Sequence, residues 1–428
     1  MKKLYSFILL STIFVSLAAQ DINISFQPAV SGTNIDSIWV TNQRTNEKIK
    51  LLGNESLTLT KVTSVEDLLL SSTEGCLFPN PCNGRAEVSF ATSLSQEVKV
   101  SVYNISGQLL STKSQFLMPD QHRFTLSFPG IGMYNVSVLK NEGSISYKIV
   151  CLKPEGSKCI IKYTGTEHRN QTKSAVVGKA LNYVQGDILN CSAYSGKNNT
   201  IIADSPTASK SYSVEFYECI DPDKQSYPIV KIGNQWWMAK NLAYIPYVNP
   251  PTSCYSPIYY VNGYMGWDLN TAKNTVNYKT YGVLYDWHAA MNSLKDSLSS
   301  NKNPSGVCGI CPKNWHLPSN AEWDQLADFI SDSKGPYIKS NNSWQYVAKH
   351  LKAINGWSFN GTDDYGFSAL PGGYALDTFG GVPYYGYWWT STQESGQYSW
   401  CRSILGGESL KIEYLYKNMG MSVRCIKD

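Results

Sequence analysis

The sequence predicts a multidomain protein in which an all-β N-terminal half, built from one or more sandwich modules, precedes an α+β C-terminal half. Its 428 residues exceed the roughly 100 to 200 residues of a typical domain, so several domains are expected. Apolar and polar residues alternate repeatedly up to about residue 222, which is typical of half-buried strands. A clear amphipathic helix follows only after residue 318. We therefore expect a β-sandwich over residues 20–152, a β-rich connector over 153–218 and a separate domain over 219–428.

Residues 1–19 have the features of a secretory signal peptide. Two lysines precede an apolar run over residues 4–19, and polar residues follow it. The run is shorter than the about 20 apolar residues that span a bilayer, which argues against an uncleaved membrane anchor. Small residues place cleavage at Ala18 or Ala19. Because the first cysteine is Cys76, we expect an exported protein that is not a lipoprotein and has no transmembrane span after cleavage.

The charge and the cysteine content indicate which class of partner to exclude and which compartment to expect. The 37 Lys and Arg against 33 Asp and Glu give a net charge of +4 without a basic stripe, so no nucleic-acid partner is expected. Cys is present 11 times, which in an exported chain indicates a disulfide framework of at most five bridges. Cys308 and Cys311 have the spacing of a redox or zinc motif, but the further ligands of a tetrahedral zinc site are missing.

Alternating runs define the strands of the N-terminal half. Residues 97–103 place Val98, Val100 and Val102 on one face and polar residues on the other. This alternation is the pattern of an antiparallel sandwich strand. Similar runs occupy residues 37–41, 87–90, 133–139 and 144–150 in the sandwich, and 183–189 and 200–204 in the connector.

Three short motifs follow one another within this half. Phe78-Pro79-Asn80-Pro81 opens an edge strand, Ser106-Gly107 turns a hairpin, and Gly132 permits a tight turn into the next strand. In this order they resemble the sorting domain of type IX secretion cargo, over about residues 76–153. That family carries the module at the extreme C-terminus, whereas some 275 residues follow it here. We therefore interpret it as an internal structural or adhesive sandwich.

The strongest helix signal stands in the C-terminal half. Ser319 and Glu322 have the spacing of a capping box at a helix N-terminus. Weaker helices are expected over residues 285–292 and 344–354. The apolar face of the capped helix consists of Trp323, Leu326, Ala327 and Ile330.

Six motifs follow in order through the C-terminal half, at residues 230–242, 281–287, 311–318, 366–373, 386–392 and 422–428. Their sequences are VKIGNQWWMAKNL, YGVLYDW, CPKNWHLP, GFSALPGG, GYWWTST and SVRCIKD. Together they resemble the Fibrobacter succinogenes major paralogous domain of exported bacterial proteins, over about Cys219 to Asp428. The resemblance implies a fold similar to C-type lectin-like and sulfatase-modifying-factor domains. It implies no reaction and no cofactor, because the family has no established activity.

The same resemblance implies a pairing of cysteines. Cys311 and Cys425 coincide with the family motifs and are predicted to form a disulfide. Cys308 and Cys401 are additional to the family pattern, and we predict a second bridge between them.

Catalysis is not expected from the residues present. The five histidines are isolated, and the nucleophile and zinc-protease motifs Gly-x-Ser-x-Gly and His-Glu-x-x-His are missing. An oxidase of the formylglycine-generating type needs two neighbouring cysteines for copper, whereas Cys401 stands alone before Cys425. The pair Asp363-Asp364 offers too few oxygens for calcium, which takes about six to eight. We interpret His316 as structural and expect neither an enzyme nor a metal site.

Aromatic residues are the strongest binding signal. Residues 384–389 and 398–400 concentrate rings on two predicted strands, with Trp388 and Trp389 on opposite faces. The rings either pack the interior or form an exposed platform for a glycan or peptide. The candidate ligand-binding residues are Trp236, Tyr385, Tyr387, Trp388 and Trp400.

Trp236 is singled out because it stands where the family usually has a small polar residue, beside Trp237 at the family's ring position. Alternation should bury Trp237 and turn Trp236 outward. Two functions stay open. The first is an exported, non-catalytic binding or adhesion protein whose partner is a glycan or another surface protein. The second is a structural envelope or matrix component that binds no small ligand.

Overall fold

The computed structural model describes residues 21–61, 76–92, 95–118, 120–140, 143–166, 179–335, 339–340 and 342–428. The predicted signal peptide lies outside the described residues. The protein is mostly β, and its chain divides into two compact units, which confirms the prediction of a multidomain, β-rich protein. The first unit comprises Met1–Ile22 and Thr58–Val184, and the second comprises Asn23–Leu57 and Gln185–Asp428.

The chain begins with three strands that belong almost wholly to the second unit, namely β1 (Ile22–Pro28), β2 (Ser37–Asn42) and β3 (Lys48–Leu52). The strands of the first unit follow, namely β4 (Leu57–Lys61), β5 (Cys76–Phe78), β6 (Arg85–Thr92), β7 (Gln96–Asn104), β8 (Leu109–Leu117), β9 (Asp120–Ser127), β10 (Gly132–Lys140), β11 (Gly143–Cys151), β12 (Ile160–Thr166) and β13 (Lys179–Tyr183).

The first unit contains a β-sandwich of two four-stranded sheets. Their strand orders are β11-β10-β7-β8 and β12-β9-β6-β5. Val98, Val100 and Val102 of β7 are fully buried and meet Val88 and Phe124 of the other sheet in one core. The predicted inward face of β7 is therefore confirmed. The sandwich continues past residue 152, the boundary drawn from the sequence, because β12 pairs with β9.

The second unit continues with sixteen further strands among its described residues. They are β14 (Leu189–Ser195), β15 (Asn198–Asp204), β16 (Lys210–Val214), β17 (Ile229–Ile232), β18 (Gln235–Met238), β19 (Tyr259–Tyr260), β20 (Leu284–Tyr285), β21 (Trp315–His316), β22 (Lys339–Ser340), β23 (Ser343–Trp344), β24 (Tyr374–Leu376), β25 (Thr378–Gly380), β26 (Tyr385–Gln393), β27 (Tyr398–Leu405), β28 (Leu410–Tyr416) and β29 (Ile426–Lys427).

The described part of this unit has four helices of five or six residues and one of 15 residues. They are α1 (Leu269–Asn274), α2 (Val276–Tyr281), α3 (Trp287–Met291), α4 (Asn320–Lys334) and α5 (Val347–Leu351), with a 3₁₀ turn at Asp296–Leu298. The predicted capping box is confirmed, because Ser319 and Glu322 exchange side-chain to backbone hydrogen bonds at the start of α4. The side chains of Trp323 and Ile330 on α4 are buried, as its apolar periodicity predicts.

An eight-stranded sheet runs through the second unit in the order β21-β29-β18-β17-β15-β14-β2-β3. Its centre is the parallel pairing of β15 with β17, where Thr200 stands opposite Ile229 and Ile201 opposite Val230. Residues 37–52 and 189–204 thus share one sheet with the C-terminal strands. The predicted connector over residues 153–218 is therefore divided: its part from Gln185 on belongs to this unit, whereas its earlier part, with β12 and β13, belongs to the first unit.

A second, five-stranded sheet has the order β22-β23-β28-β27-β26. Helix α4 packs against it, with Trp323 next to Trp388 of β26 at a ring distance of 6.3 Å. Arg402 of β27 is fully buried and donates to Asp324 of α4 at 2.5 Å. The helix therefore covers the part of this sheet face that carries Trp388 and Arg402.

One disulfide joins Cys311 to Cys425, the pair that the family resemblance implies. The predicted bridge between Cys308 and Cys401 is not present, and the environments of the two thiols argue against it. Cys308 is exposed, whereas Cys401 is buried in the core of β27 opposite Trp389. The exposed sulfur of Cys308 and the fully buried sulfur of Cys401 are therefore not joined.

Candidate ligand-binding surface

The sequence motifs of the C-terminal half meet at a buried amide, the side chain of Asn241. Its Nδ2 donates to the carbonyl of Tyr281 at 3.1 Å and to Oγ of Ser422 at 3.2 Å. Its Oδ1 accepts from Nε1 of Trp388 at 3.0 Å and from Nη2 of Arg424 at 3.0 Å. One side chain therefore connects four of the six motifs.

Arg424 extends this network to a fifth motif. Its guanidinium lies 4.1 Å from the ring centroid of Phe367, and it donates to the carbonyls of Phe367 and Ser368. Burial lowers the pKa of Arg424 to about 9, and burial raises the pKa of the nearby Asp363 to about 6. Asp363 accepts two hydrogen bonds from Ser368 and so belongs to the same buried cluster.

His316 connects the remaining motif, residues 311–318, to the motif at residues 422–428. Its Nε2 lies 2.6 Å from Oε1 of Glu322, and its Nδ1 lies 2.7 Å from Oδ1 of Asp428. Burial alone would lower the pKa of His316, but the two carboxylates outweigh it and raise that pKa above its ordinary value. The imidazole is 1% exposed, so it cross-links β21, α4 and the segment after β29 rather than facing a substrate.

The candidate binding residue Trp388 requires a correction. Alternation does send Trp388 and Trp389 to opposite faces of β26, but each face is covered. Trp388 is 1% exposed beneath α4, and Nε1 of Trp389 donates to the carbonyl of Tyr285 at 2.8 Å. Trp388 therefore belongs to the core and cannot contact a ligand at the surface.

Trp400 belongs to a group of partly exposed rings on β27 and β28 of the same sheet. Trp400 stands opposite Tyr414, and Tyr398 stands opposite Tyr416, on one face of β27 and β28. The ring centroids of Trp400 and Tyr414 are 5.2 Å apart, and those of Tyr398 and Tyr416 are 4.5 Å apart. Tyr414 is 52% exposed and Tyr416 is 48% exposed. We call these four residues the aromatic platform.

A groove adjoins the aromatic platform along β28. Its volume is about 410 Å³, and its lining includes Asn342, Lys411 and Glu413 besides Trp400 and Tyr414. Of these polar residues only Asn342, which is exposed, offers its side chain beside the rings, because Lys411 and Glu413 pair with Ser403 and Cys401 and therefore point to the other sheet face. This combination offers both apolar stacking and hydrogen bonds to a ligand that carries hydroxyl groups.

Tyr385 and Tyr387 lie in a different group of rings. Tyr387 stands opposite Ser403, which places it on the sheet face opposite Trp400. Its ring lies 6.5 Å from Tyr385 and 5.9 Å from Tyr374. Tyr385 is 38% exposed, whereas Tyr387 is half-buried and burial raises its pKa well above the usual value.

Trp236 occupies a third place, on β18. It is half-buried, with its ring 5.1 Å from Tyr217 and 5.4 Å from Nζ of Lys231. Trp236 and Lys231 line a cavity of about 220 Å³ together with Glu215. Trp237 on the opposite face is fully buried. The structure therefore does not bring the five candidate residues together, because they divide among three surfaces and the core.

Sequence reasoning missed Tyr414 and Tyr416, which provide the most exposed rings of the aromatic platform. Their signal is the alternation of Ile412, Tyr414 and Tyr416 in β28. The strand alternation places these three residues on one face. Pairing with β27 then adds Trp400 to the same face, which only the fold can show.

Other polar groups considered from the sequence are engaged within the protein. Asp364 lies 2.8 Å from Nδ1 of His350 and 2.7 Å from Nζ of Lys334. Burial raises the pKa of the Cys401 thiol well above its usual value, which keeps it from acting as a thiolate ligand. Within the described ranges, no cluster of three or more His, Cys, Asp or Glu side chains could hold a metal ion.

Two regions of the chain match known families. Residues 230–427 match the model of the Fibrobacter succinogenes major domain, and residues 76–152 match that of the secretion system C-terminal sorting domain. Neither a curated protein nor a solved structure matches the chain. No helix in the described part of the chain combines the length and apolar content needed to cross a bilayer. The chain thus carries one region similar to a secretion sorting domain, which indicates export to the cell surface or beyond, and one similar to the Fibrobacter succinogenes major domain.

Proposed function

We propose that this protein is an exported, non-catalytic binding protein that holds a glycan against its aromatic platform. The observation that carries the proposal is the arrangement of Tyr398, Trp400, Tyr414 and Tyr416 on two adjacent strands, with Tyr414 and Tyr416 about half exposed. A contiguous group of exposed rings favours binding, because covering it with a ligand releases water from a large apolar surface.

The chemistry of the aromatic platform suits a sugar ring better than a wholly apolar ligand. One face of a pyranose carries C–H groups that can lie on an aromatic ring, while its edge carries hydroxyl groups. Trp400 and Tyr414 supply rings, and Asn342 supplies an amide along the adjoining groove. The groove's volume of about 410 Å³ lies within the range of small-molecule sites.

The buried motif network supports a non-catalytic role for the C-terminal half. Asn241, Arg424 and His316 are each at most 3% exposed, and their polar atoms are used to join secondary-structure elements. As part of the proposal, this half has a C-type lectin-like fold. The short strand at His316, the capped helix α4 and the closing strand β29 support that assignment.

The test measures glycan binding by the full-length exported protein on an array of polysaccharides and oligosaccharides, followed by calorimetric titration of any glycan retained. Tyr414→Ala combined with Tyr416→Ala should lower affinity by roughly 10-fold, since each stacked ring contributes about 0.5 to 1.5 kcal/mol. Trp400→Ala should lower it further. The melting temperature of the tyrosine double variant should stay within about 2 °C of the wild type, because both side chains are largely exposed.

Trp267→Ala provides the matched control, because Trp267 is 67% exposed and does not belong to the aromatic platform. It should leave glycan affinity unchanged. Retention of full affinity by the tyrosine double variant would refute the assignment of the site. Failure of every glycan to bind would refute the glycan proposal and favour either a protein partner or a structural role in the envelope.

A further inference from the structure

Three cysteines converge in the core of the first unit. Cys82 is 1% exposed and Cys151 is fully buried, and half-buried Cys159 packs against the same core. Burial raises the pKa of Tyr134, and the sulfurs of Cys151, Cys159 and Cys82 add to the rise, so all three lie around one phenol. This cluster takes no part in the proposed glycan site.

Backbone pairing places two of these cysteines side by side. The Cys82 N–H donates to the carbonyl of Val150 at 2.8 Å, and the Leu152 N–H donates to the carbonyl of Cys82 at 2.8 Å. These two bonds form a parallel bridge between Cys82 and Cys151. Residues paired in this way stand about 5 Å apart. That spacing lies within the range of about 4.4 to 6.8 Å between the Cα atoms of a disulfide.

The side chains also point the same way. Cys82 and Cys151 are both members of the apolar cluster between the two sheets, so both sulfurs face one interior. Sγ of Cys151 donates to the carbonyl of Lys153 at 2.8 Å, a bond that a rotation about its side chain can exchange for a bond to sulfur. No strand has to move for the two sulfurs to join.

We propose that Cys82 and Cys151 form a disulfide in the exported protein and that Cys159 remains a free thiol beside it. The oxidant is a disulfide, carried by a protein or a small molecule. One cysteine thiolate attacks a sulfur of the oxidant and releases a thiol, giving a mixed disulfide. The second cysteine then displaces the other half of the oxidant. Two thiols of this chain lose two protons and two electrons, and the oxidant's disulfide becomes two thiols.

The folded environment protects the bridge from exchange once it has formed. Thiolates, not thiols, attack disulfides. Burial raises the pKa of Cys159 to about 11, and burial with the adjacent Cys151 raises the pKa of reduced Cys82 to about 11. The bridge therefore forms while the chain is folding and its thiols still titrate near their ordinary value of about 8.5. Afterwards Cys159 attacks it only slowly.

The bridge would connect the two ends of the region similar to the sorting domain. Cys82 directly follows the Phe78–Pro81 motif, and Cys151 ends β11. The region similar to the sorting domain spans residues 76–152, so the disulfide would close almost the whole of that region into one loop.

The test is peptide mapping of full-length protein collected from the secreting cell, or refolded from the reduced chain with oxidised glutathione. The protein is denatured without reductant, alkylated with iodoacetamide, digested and analysed by mass spectrometry. We expect Cys82 and Cys151 in one linked peptide pair and Cys159 alkylated. Alkylation of both Cys82 and Cys151, or a link from either of them to Cys159, would overturn the proposal.

A kinetic comparison gives a second measurement. Reduced protein that is already folded should acquire the bridge at least 10-fold more slowly than reduced protein refolding in the same oxidised glutathione. Cys159→Ser should leave the linked pair unchanged, which provides the control. Loss of the linked pair in Cys159→Ser, or equal rates for folded and refolding chains, would contradict the order of events.

Discussion

Substitution of Asn241 by alanine should be among the most destabilising single changes in the second unit. The change removes the acceptor for Trp388 and Arg424 and the donor to Tyr281 and Ser422. A net loss of about 1 kcal/mol for each of the three neutral hydrogen bonds and about 2 kcal/mol for the bond to the guanidinium gives about 5 kcal/mol. Such a loss approaches the entire stability of a typical domain, which is about 5 to 15 kcal/mol.

Tryptophan fluorescence follows the second unit alone, since all 12 tryptophans lie within Asn23–Leu57 and Gln185–Asp428. Urea unfolding monitored by this emission should therefore report the free-energy change directly. The matched control is Asn270→Ala, an exposed asparagine in α1, which should change stability by less than about 0.5 kcal/mol. A loss below about 1 kcal/mol for Asn241→Ala would show that other contacts hold the motifs together.

Two further predictions concern the same unit. Trp237→Ala should lower the free energy of unfolding by about 3 to 5 kcal/mol, because it leaves a cavity at a fully buried site. Trp236→Ala should lower it by only about 1 to 2 kcal/mol, because the Trp236 ring is half-buried. Equal losses for the two variants in urea unfolding would contradict this difference. The raised pKa of His316 predicts that its contribution to stability is complete below its unfolded pKa of about 6.5 and is lost as pH rises through the folded value. The free energy of unfolding should therefore fall above pH 6.5 in the wild type, and His316→Gln, which cannot form the charged contacts with Glu322 and Asp428, should remove that dependence.

Local features of the fold were predictable from the sequence. The capping box at Ser319 and the inward face of β7 depend on residues close together in the chain, where periodicity and capping chemistry act directly. The alternation that separates Trp388 from Trp389 is also local and correct. Whether each face of β26 is covered depends on α4 and Tyr285, which lie far from it in sequence, and the exposure of Trp388 was therefore wrongly predicted.

The domain boundaries could not be predicted from the sequence where they depend on strands that pair over a long distance in the chain. Strand β2 finds its partner β14 about 150 residues later, with Trp39 opposite Ser192, and no local pattern specifies that register. The assignment of residues 23–57 to the second unit could therefore not be predicted. The same limit applies to the aromatic platform, because Tyr414 joins Trp400 only through the pairing of β28 with β27.

The parallel pairing of β15 with β17 affects whether residues 230–427 could be transferred to another protein by themselves. A recombination event at the boundary of the family match, near residue 230, would transfer β17 without the strand that covers its edge. The uncovered edge of β17 would then expose unpaired backbone N–H and C=O groups, which promote pairing with other chains. Residues 198–204, which form β15, are therefore needed beside the C-terminal region to keep that edge covered.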